Sequence, residues 1–337
     1  MKILVPIMAS TDIDILNPNL YNTEFFCGYL PQWWINEYNS NENKSGNLAI
    51  PINNRNGKGS NVHSFEELCT IVKKAYEYNT NVFLVLNAKY YPEYVYESMR
   101  RYLDEVIDAG IKRIIVCDLG MIAFLEENYP NIKISVSCLN QITNSMAVGF
   151  YSNFKNVDRI VFPRHMSSKE IEKIIVQYPN MEFEYFIFSN KCLYDDGYCR
   201  GIHEFTPICK DLYYADFYSN NEKILDDYEQ NNLRMKEYEF SSWTRNELEA
   251  NIKGYCTANF ACSACSLVKL NKYNNIVSVK LSIRGHDIKE RLRQVEIASF
   301  VLKYLDDGND VSNVQHIVSS MYGKEDLCTS GKACMMN

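Results

Sequence analysis

A (β/α)8 TIM-like barrel, interrupted by a cysteine-rich insertion between its seventh and eighth strands, is the fold class this sequence predicts. Short β-branched or aromatic runs alternate with segments of helical period, the pattern of a parallel α/β fold. Eight such runs stand at residues 2–6, 24–28, 81–87, 112–117, 132–137, 158–162, 182–188 and 277–281. Eight parallel strands with intervening helices close most economically into a barrel. The helical segments also carry their own start and stop signals.

In chain order, MKILVPIMAS holds one lysine and a short apolar stretch, is broken by Pro6 and runs at once into acidic residues. It reads as a first strand rather than a signal peptide. Residues 31–62 are polar, rich in Asn and Gly, and read as a long loop after the second strand, with Trp33-Trp34 packed beneath it. Ser64 with Glu67 reads as a capping box, after which Phe65, Leu68, Ile71, Val72 and Ala75 share one face. Pro92 opens the next helix, Val95, Met99, Tyr102, Leu103 and Val106 line its inner side, and Gly110 sits where a left-handed C-terminal residue belongs. Ser167 with Glu170 and Asp287 with Glu290 repeat the box before Ile171/Ile174/Ile175 and Leu292/Val295/Val301/Leu302. The predicted organisation is a barrel over 1–305, including a subdomain at 189–275 held together by something other than a barrel core, and a short tail at 306–337.

Composition narrows the class. The 337 residues are 46% hydrophobic and 23% charged, which excludes wholesale disorder. No apolar run approaches the roughly 18 residues of a membrane span. A net charge of −7 argues against broad, sequence-independent nucleic-acid binding, so RNA is the less favoured partner. Twelve cysteines without an export signal suggest not a disulfide scaffold but buried thiols, a metal site or both, in the cytoplasm.

Six of those thiols, Cys192, Cys199, Cys209, Cys256, Cys262 and Cys265, fall in the insertion. Thiolates ligate zinc or the irons of an iron–sulfur cluster, and spacing alone leaves both open. Zinc is the weaker option, because a ribbon shows two C-x2-C knuckles and here only Cys262-Ser-Ala-Cys265 fits. Cys27, Cys69, Cys117 and Cys138 read as core residues, and Cys328 and Cys334 have no assignment.

Barrel enzymes gather functional residues where strands end at the C-terminal face. One or two residues past each strand stand Asn87, Asp118, Ser137, Asn140, Arg164, His165, Asn190, Arg284 and His286. Singly, Asp118 and Asn144 read equally well as helix caps and the histidines as loop residues. Together they make a mouth suited to anions, with two arginines able to grip carboxylates bidentately. No phosphate loop, G-x-S-x-G, H-E-x-x-H or dinucleotide fingerprint is present.

Three stretches then resemble a known family: VDRIVFPRHMSSKEIEKI (157–174), EFEYFIFSNKCLYDDGYC (182–199) and SACSLVKL…SVKLSIRG (263–285). They are similar to the collagenase-like peptidase family U-32, whose motif positions are occupied here by Arg164, Glu184, Phe186, Cys192, Cys199, Cys265, Lys280, Arg284 and Gly285. LVLNAKY (84–90), DLGMI (118–122) and SVSCLNQITN (135–144) extend the resemblance to roughly residues 64–305. Two positions depart: the family's Arg-Glu is Arg164-His165, and its His-Gly is Ser189-Asn190. The resemblance implies a 4Fe-4S cluster on Cys192, Cys199, Cys209 and Cys265, with Cys262 as alternate ligand. It also implies oxygen-independent hydroxylation of an aromatic or nucleobase acceptor, with a small-molecule carboxylate such as prephenate as donor. Arg164, His165, Asp118 and Arg284 are the candidate catalytic residues. The alternatives are a collagenase-like peptidase and a non-catalytic iron–sulfur subunit working with a paralogous partner.

Overall fold

Continuous apolar runs make parallel strands when both faces are covered. The VFLVL run at Val82–Leu86, buried at every position, is such a strand. A computed structural model of the chain describes residues 1–39, 50–55, 58–189, 197, 216–219, 222–226, 261–308, 311–323, 328 and 334–335. Its strands in chain order are β1 (Lys2–Pro6), β2 (Thr23–Cys27), β3 (Val82–Leu86), β4 (Arg113–Val116), β5 (Lys133–Val136), β6 (Val157–Val161), β7 (Glu182–Ser189), β8 (Asp216–Ser219), β9 (Glu222–Asp226), β10 (Ala261–Cys262) and β11 (Ile276–Leu281). From β1 to β7 each strand pairs in parallel with the next, and β11 bridges β7 to β1, so eight strands close a ring. This is the predicted (β/α)8 barrel, and each of the eight predicted runs overlaps one of its strands. β8 and β9 form an antiparallel hairpin within the insertion. β10 runs antiparallel to the far end of β7, with Cys262 opposite Phe188.

The barrel interior is stratified. At its N-terminal end Arg159 meets Glu182 at 2.9 Å, Glu24 at 3.5 Å and Glu184 at 3.6 Å. Beside it Arg113 forks onto Asp158. Above these charges lies an apolar layer of Leu4, Phe26, Phe83, Val85 and Ile115. Arg113 and Arg159 both lie over the Phe83 ring, 5.4 and 5.1 Å from its centre, so the ring faces carry the transition from ionic to apolar.

The helices follow their sequence signals with two corrections. Ser167 and Glu170 form the full capping box. At Ser64 only half of it exists: the hydroxyl accepts from the Glu67 amide, while the Glu67 carboxylate accepts from Ser10 N at 2.6 Å. Asp287 caps the Lys289 amide, and Glu290 instead accepts from Gln294 and from the Tyr322 hydroxyl. That hydroxyl belongs to a helix at Val311–Tyr322, whose Val314 and Val318 are buried. The predicted short tail therefore contains a packed helix. Trp34 is fully buried, with its indole N–H on Ile50 O at 2.9 Å, and Trp33 lies under Arg101, so the pair packs as predicted. No helix among the described residues is long and apolar enough to cross a membrane.

Candidate active site at the barrel mouth

The C-terminal ends of the strands surround a cavity of about 110 Å3. Its floor is apolar, made by Phe26, Val85, Ile115, Val161 and Phe186. One cation rises through that floor. Lys280 is 7% exposed, its Nζ lies 2.7 Å from Glu184 Oε1, and it sits 4.7 Å above the centre of the Phe26 ring. Glu184 is fully buried, and its second oxygen accepts from Ser278 Oγ at 3.0 Å.

Around the rim stand Arg55, Arg164 and Arg284, with Asn87, Ser137 and Ser282 between them. No carboxylate is among the described residues that line it. The Ser282 hydroxyl is buried and has no hydrogen-bond partner among the described residues. A buried polar atom left without a partner costs free energy, and a bound ligand would relieve it. The arrangement can hold a compact molecule with more than one anionic group, flat enough to rest on aromatic and aliphatic carbon.

Arg55 was missed from sequence, and the way it is held explains why. It comes from the polar segment after β2, which folds back over the mouth as a lattice of amides. Asn53 Oδ1 accepts from Arg284 Nη2 at 2.8 Å and from the Arg55 amide at 3.0 Å. Asn53 Nδ2 donates to Asn61 Oδ1 at 2.9 Å, and Asn61 Nδ2 donates to Arg55 O at 2.7 Å. Arg55 Nη1 in turn donates to Arg284 O at 2.9 Å. The only sequence signal was a cluster of asparagines, which reads as an ordinary loop. Two glycines make room for the lattice. A Cβ on Gly28 would stand 2.1 Å from Asn61 Oδ1 and 2.8 Å from Arg284 Nη1. Gly285 has φ +87° and would press a Cβ to 2.7 Å from Ser60 Oγ.

The other predicted residues divide. Arg164 reaches the mouth and donates to Ser189 Oγ at 3.2 Å. Asp118 caps the helix at Leu119–Asn128 through the Met121 amide at 2.7 Å and does not line the cavity. Burial raises its carboxyl above the ordinary range. His165 is exposed, close enough to Glu170 to help lower that carboxyl, and also stands outside the lining. His286 is half-buried, and its imidazole is held below its ordinary value by burial and then by Arg55. Asn140 lies under the rim against Cys117 Sγ at 3.9 Å. Cys27 and Cys117 are core thiols, each pushed up to about 12 by burial. Cys138, also predicted as core, lines the cavity instead.

Of the proposed cluster ligands, Cys192, Cys199 and Cys209 lie outside the described residues, as do Cys256 and Asn190. Gly197, which stands between Cys192 and Cys199 in sequence, is held at the mouth. Its carbonyl accepts from Lys89 Nζ at 2.8 Å, and a Cβ on it would meet Gln141 Cγ at 2.1 Å and Leu139 O at 2.8 Å. Cys262 is buried and its Sγ accepts from the Ala264 amide at 3.4 Å. That N–H···S contact inside a C-x2-C turn suits a thiolate bound to a soft metal. Cys265 is half-buried, its thiol pushed up to about 11 by burial.

Residues 51–206 match the profile of Peptidase family U32. Three curated proteins are similar to this chain. Over 99 residues it is 31% identical to tRNA hydroxylation protein P of Escherichia coli (strain K12), covering 29% of this chain and 22% of that protein. Over 97 residues it is 33% identical to tRNA hydroxylation protein P of Haemophilus influenzae, covering 29% and 21%. Over 145 residues it is 28% identical to tRNA hydroxylation protein P1 of Bacillus subtilis (strain 168), covering 42% and 34%. The matches thus span between about a fifth and a third of those proteins' lengths. Among solved structures, the U32 peptidase Mk0906 aligns at 10% identity with a TM-score of 0.45, over 83% of this chain and 91% of that one.

Proposed function

Because residues 51–206 of the chain belong to peptidase family U32, we propose that it is an oxygen-independent hydroxylase that uses a small carboxylate as hydroxyl donor and a tRNA nucleobase as acceptor. The observation that carries the donor is the mouth itself: Arg55, Arg164 and Arg284 over Lys280, with no carboxylate and no partner for the Ser282 hydroxyl among the described residues. Two guanidinium forks can each take a carboxylate, as a dicarboxylate such as prephenate requires. The acceptor rests on the three relatives, each named for tRNA hydroxylation. The net charge of −7 turned the reading of the sequence away from RNA, but it describes the whole chain and not the cationic mouth.

A 4Fe-4S cluster would be held by Cys192, Cys199, Cys209 and Cys265, with Cys262 as the alternate, and would supply one-electron or Lewis-acid chemistry. Two described residues support the reading: Gly197, which stands between Cys192 and Cys199 in sequence, accepts from Lys89 Nζ, and the Cys262 sulfur accepts a hydrogen bond from the Ala264 amide. This chain's own side chains have simpler tasks. Arg164 and Arg284 orient the donor, Lys280 offsets charge at the floor, and the apolar layer beneath keeps water out.

The test is anaerobic incubation of the iron-loaded protein with undermodified tRNA, prephenate and a chemical electron acceptor for the two electrons that replacing C–H by C–OH releases, followed by mass spectrometry of the nucleosides. One nucleoside gains the mass of an oxygen, and Arg284→Gln or Arg164→Gln lowers the yield. A charge-assisted hydrogen bond contributes about 1.5–3 kcal/mol, so each variant loses roughly 10- to 150-fold in donor affinity. An iron-loaded protein that leaves tRNA unchanged, or that cleaves casein and does nothing else, overturns the reading.

A further inference from the structure

We propose that Cys262, Cys265, Cys328 and Cys334 form a thiolate site for a thiophilic metal centre that fastens the C-terminal tail to the end of the insertion. The juxtaposition is built by backbone. Cys262 and Cys334 are partners across a parallel bridge, reinforced by the Met335 amide donating to Cys262 O at 2.9 Å. Strands so paired lie about 4.8 Å apart with paired side chains on one face, which brings those two thiols together. Cys265, one turn on from Cys262, is within electrostatic reach of Cys328 and Cys334 and touches Gln315. Cys328 Sγ lies 3.8 Å from Gln315 O, so that one residue adjoins both cysteines. None of the four is joined in a disulfide among the described residues.

Two of the sulfurs already receive hydrogen bonds of the kind that stabilise bound thiolates. Ala264 N donates to Cys262 Sγ at 3.4 Å, and Ser319 Oγ donates to Cys328 Sγ at 3.4 Å. Ser319 belongs to the Val311–Tyr322 helix, so the site ties that helix, the tail and β10 together. The sulfurs are not drawn to one point: among the described residues no three His, Cys, Asp or Glu side chains meet the spacing of a single ion. Loading must therefore draw the four sulfurs closer together. Where this site forms, the cluster proposed above takes Cys256 in place of Cys265. Cys192, Cys199, Cys209 and Cys256 would remain as a complete set of four thiols in the sequence.

The experiment uses the full chain purified without oxygen, with zinc, iron and sulfide measured per chain. In the metal-replete protein Cys328 and Cys334 resist iodoacetamide, read by peptide mass spectrometry, until a chelator is added. The Cys328→Ser/Cys334→Ser variant loses one centre, either one zinc or the iron and sulfide of one cluster, which identifies the occupant. It keeps whatever centre the Cys192→Ser/Cys199→Ser variant loses. Free alkylation of both tail cysteines in replete wild type, a disulfide joining them, or unchanged metal content in the tail variant overturns the proposal. The alkylation needs no substitution, so a misfolded variant leaves the test intact. If the Cys192/Cys199 variant keeps all its metal, the cluster of the preceding section fails while the tail result still stands alone.

Discussion

Replacing Glu184 by Gln strands the floor lysine, and the size of the effect follows from its surroundings. Glu184 is fully buried, and Lys280 Nζ stands 2.7 Å from it with its side chain 9% exposed. Arg159, 3.6 Å away on the other side, keeps Glu182 at 2.9 Å and Glu24 at 3.5 Å, so it is not left alone. Removing one partner of a buried pair costs about 3–5 kcal/mol, because a charge remains without compensation. The expected loss is thus about 3–5 kcal/mol. For a chain of 337 residues it amounts to roughly 4–7 °C in Tm, at an unfolding entropy of about 2 cal/mol/K per residue. Lys280→Met in the same background recovers most of the loss, and urea titrations of all four chains give the coupling energy. A deficit under about 1 kcal/mol refutes the claim that this pair is a sealed ionic contact under the pocket.

Two further outcomes follow from the same geometry. Gly28→Ala drives a Cβ into Asn61 Oδ1 at 2.1 Å and Arg284 Nη1 at 2.8 Å; it costs about 1–3 kcal/mol and weakens dicarboxylate binding in calorimetry. Gly59→Ala, with nothing within 4 Å of its Cβ, is the neutral control. The His286 imidazole is held below its ordinary 6.5 by burial and by Arg55, so the unfolded chain takes up its proton first as pH falls. Its contribution to stability is complete above about pH 6.5 and drains away below it, and His286→Asn flattens that part of a Tm-against-pH profile. An unchanged profile would mean that His286 is as free to protonate in the folded chain as in the unfolded one.

What the sequence disclosed, and what it hid, divides by the range of the interactions involved. Strand runs and helix faces are local patterns of burial, so Val82–Leu86 and the Met99/Tyr102/Val106 face stand where periodicity put them. Caps are half-local. Glu67 sits three residues from Ser64 as a capping box requires, yet the fold offers it the Ser10 amide 57 positions away, and no local rule sees that competitor. The mouth is wholly non-local. Arg164 and Arg284 were legible because barrel geometry brings strand ends together whatever the loops do. The same rule brought in Asp118, whose side chain turned out to serve its own helix. Arg55 obeys no such rule, because its position depends on Asn53 and Asn61 gripping Arg284 across 231 and 223 residues of chain, the first directly at 2.8 Å and the second through Asn53. Asparagines in a polar segment carry no periodicity, and what distinguished them from an ordinary loop was the glycine opposite, Gly28, which only the folded barrel sets against Arg284. A cationic mouth assembled this way ties the anion site to the long segment after β2. Changes in that segment should therefore alter binding of the proposed carboxylate donor before they alter the barrel.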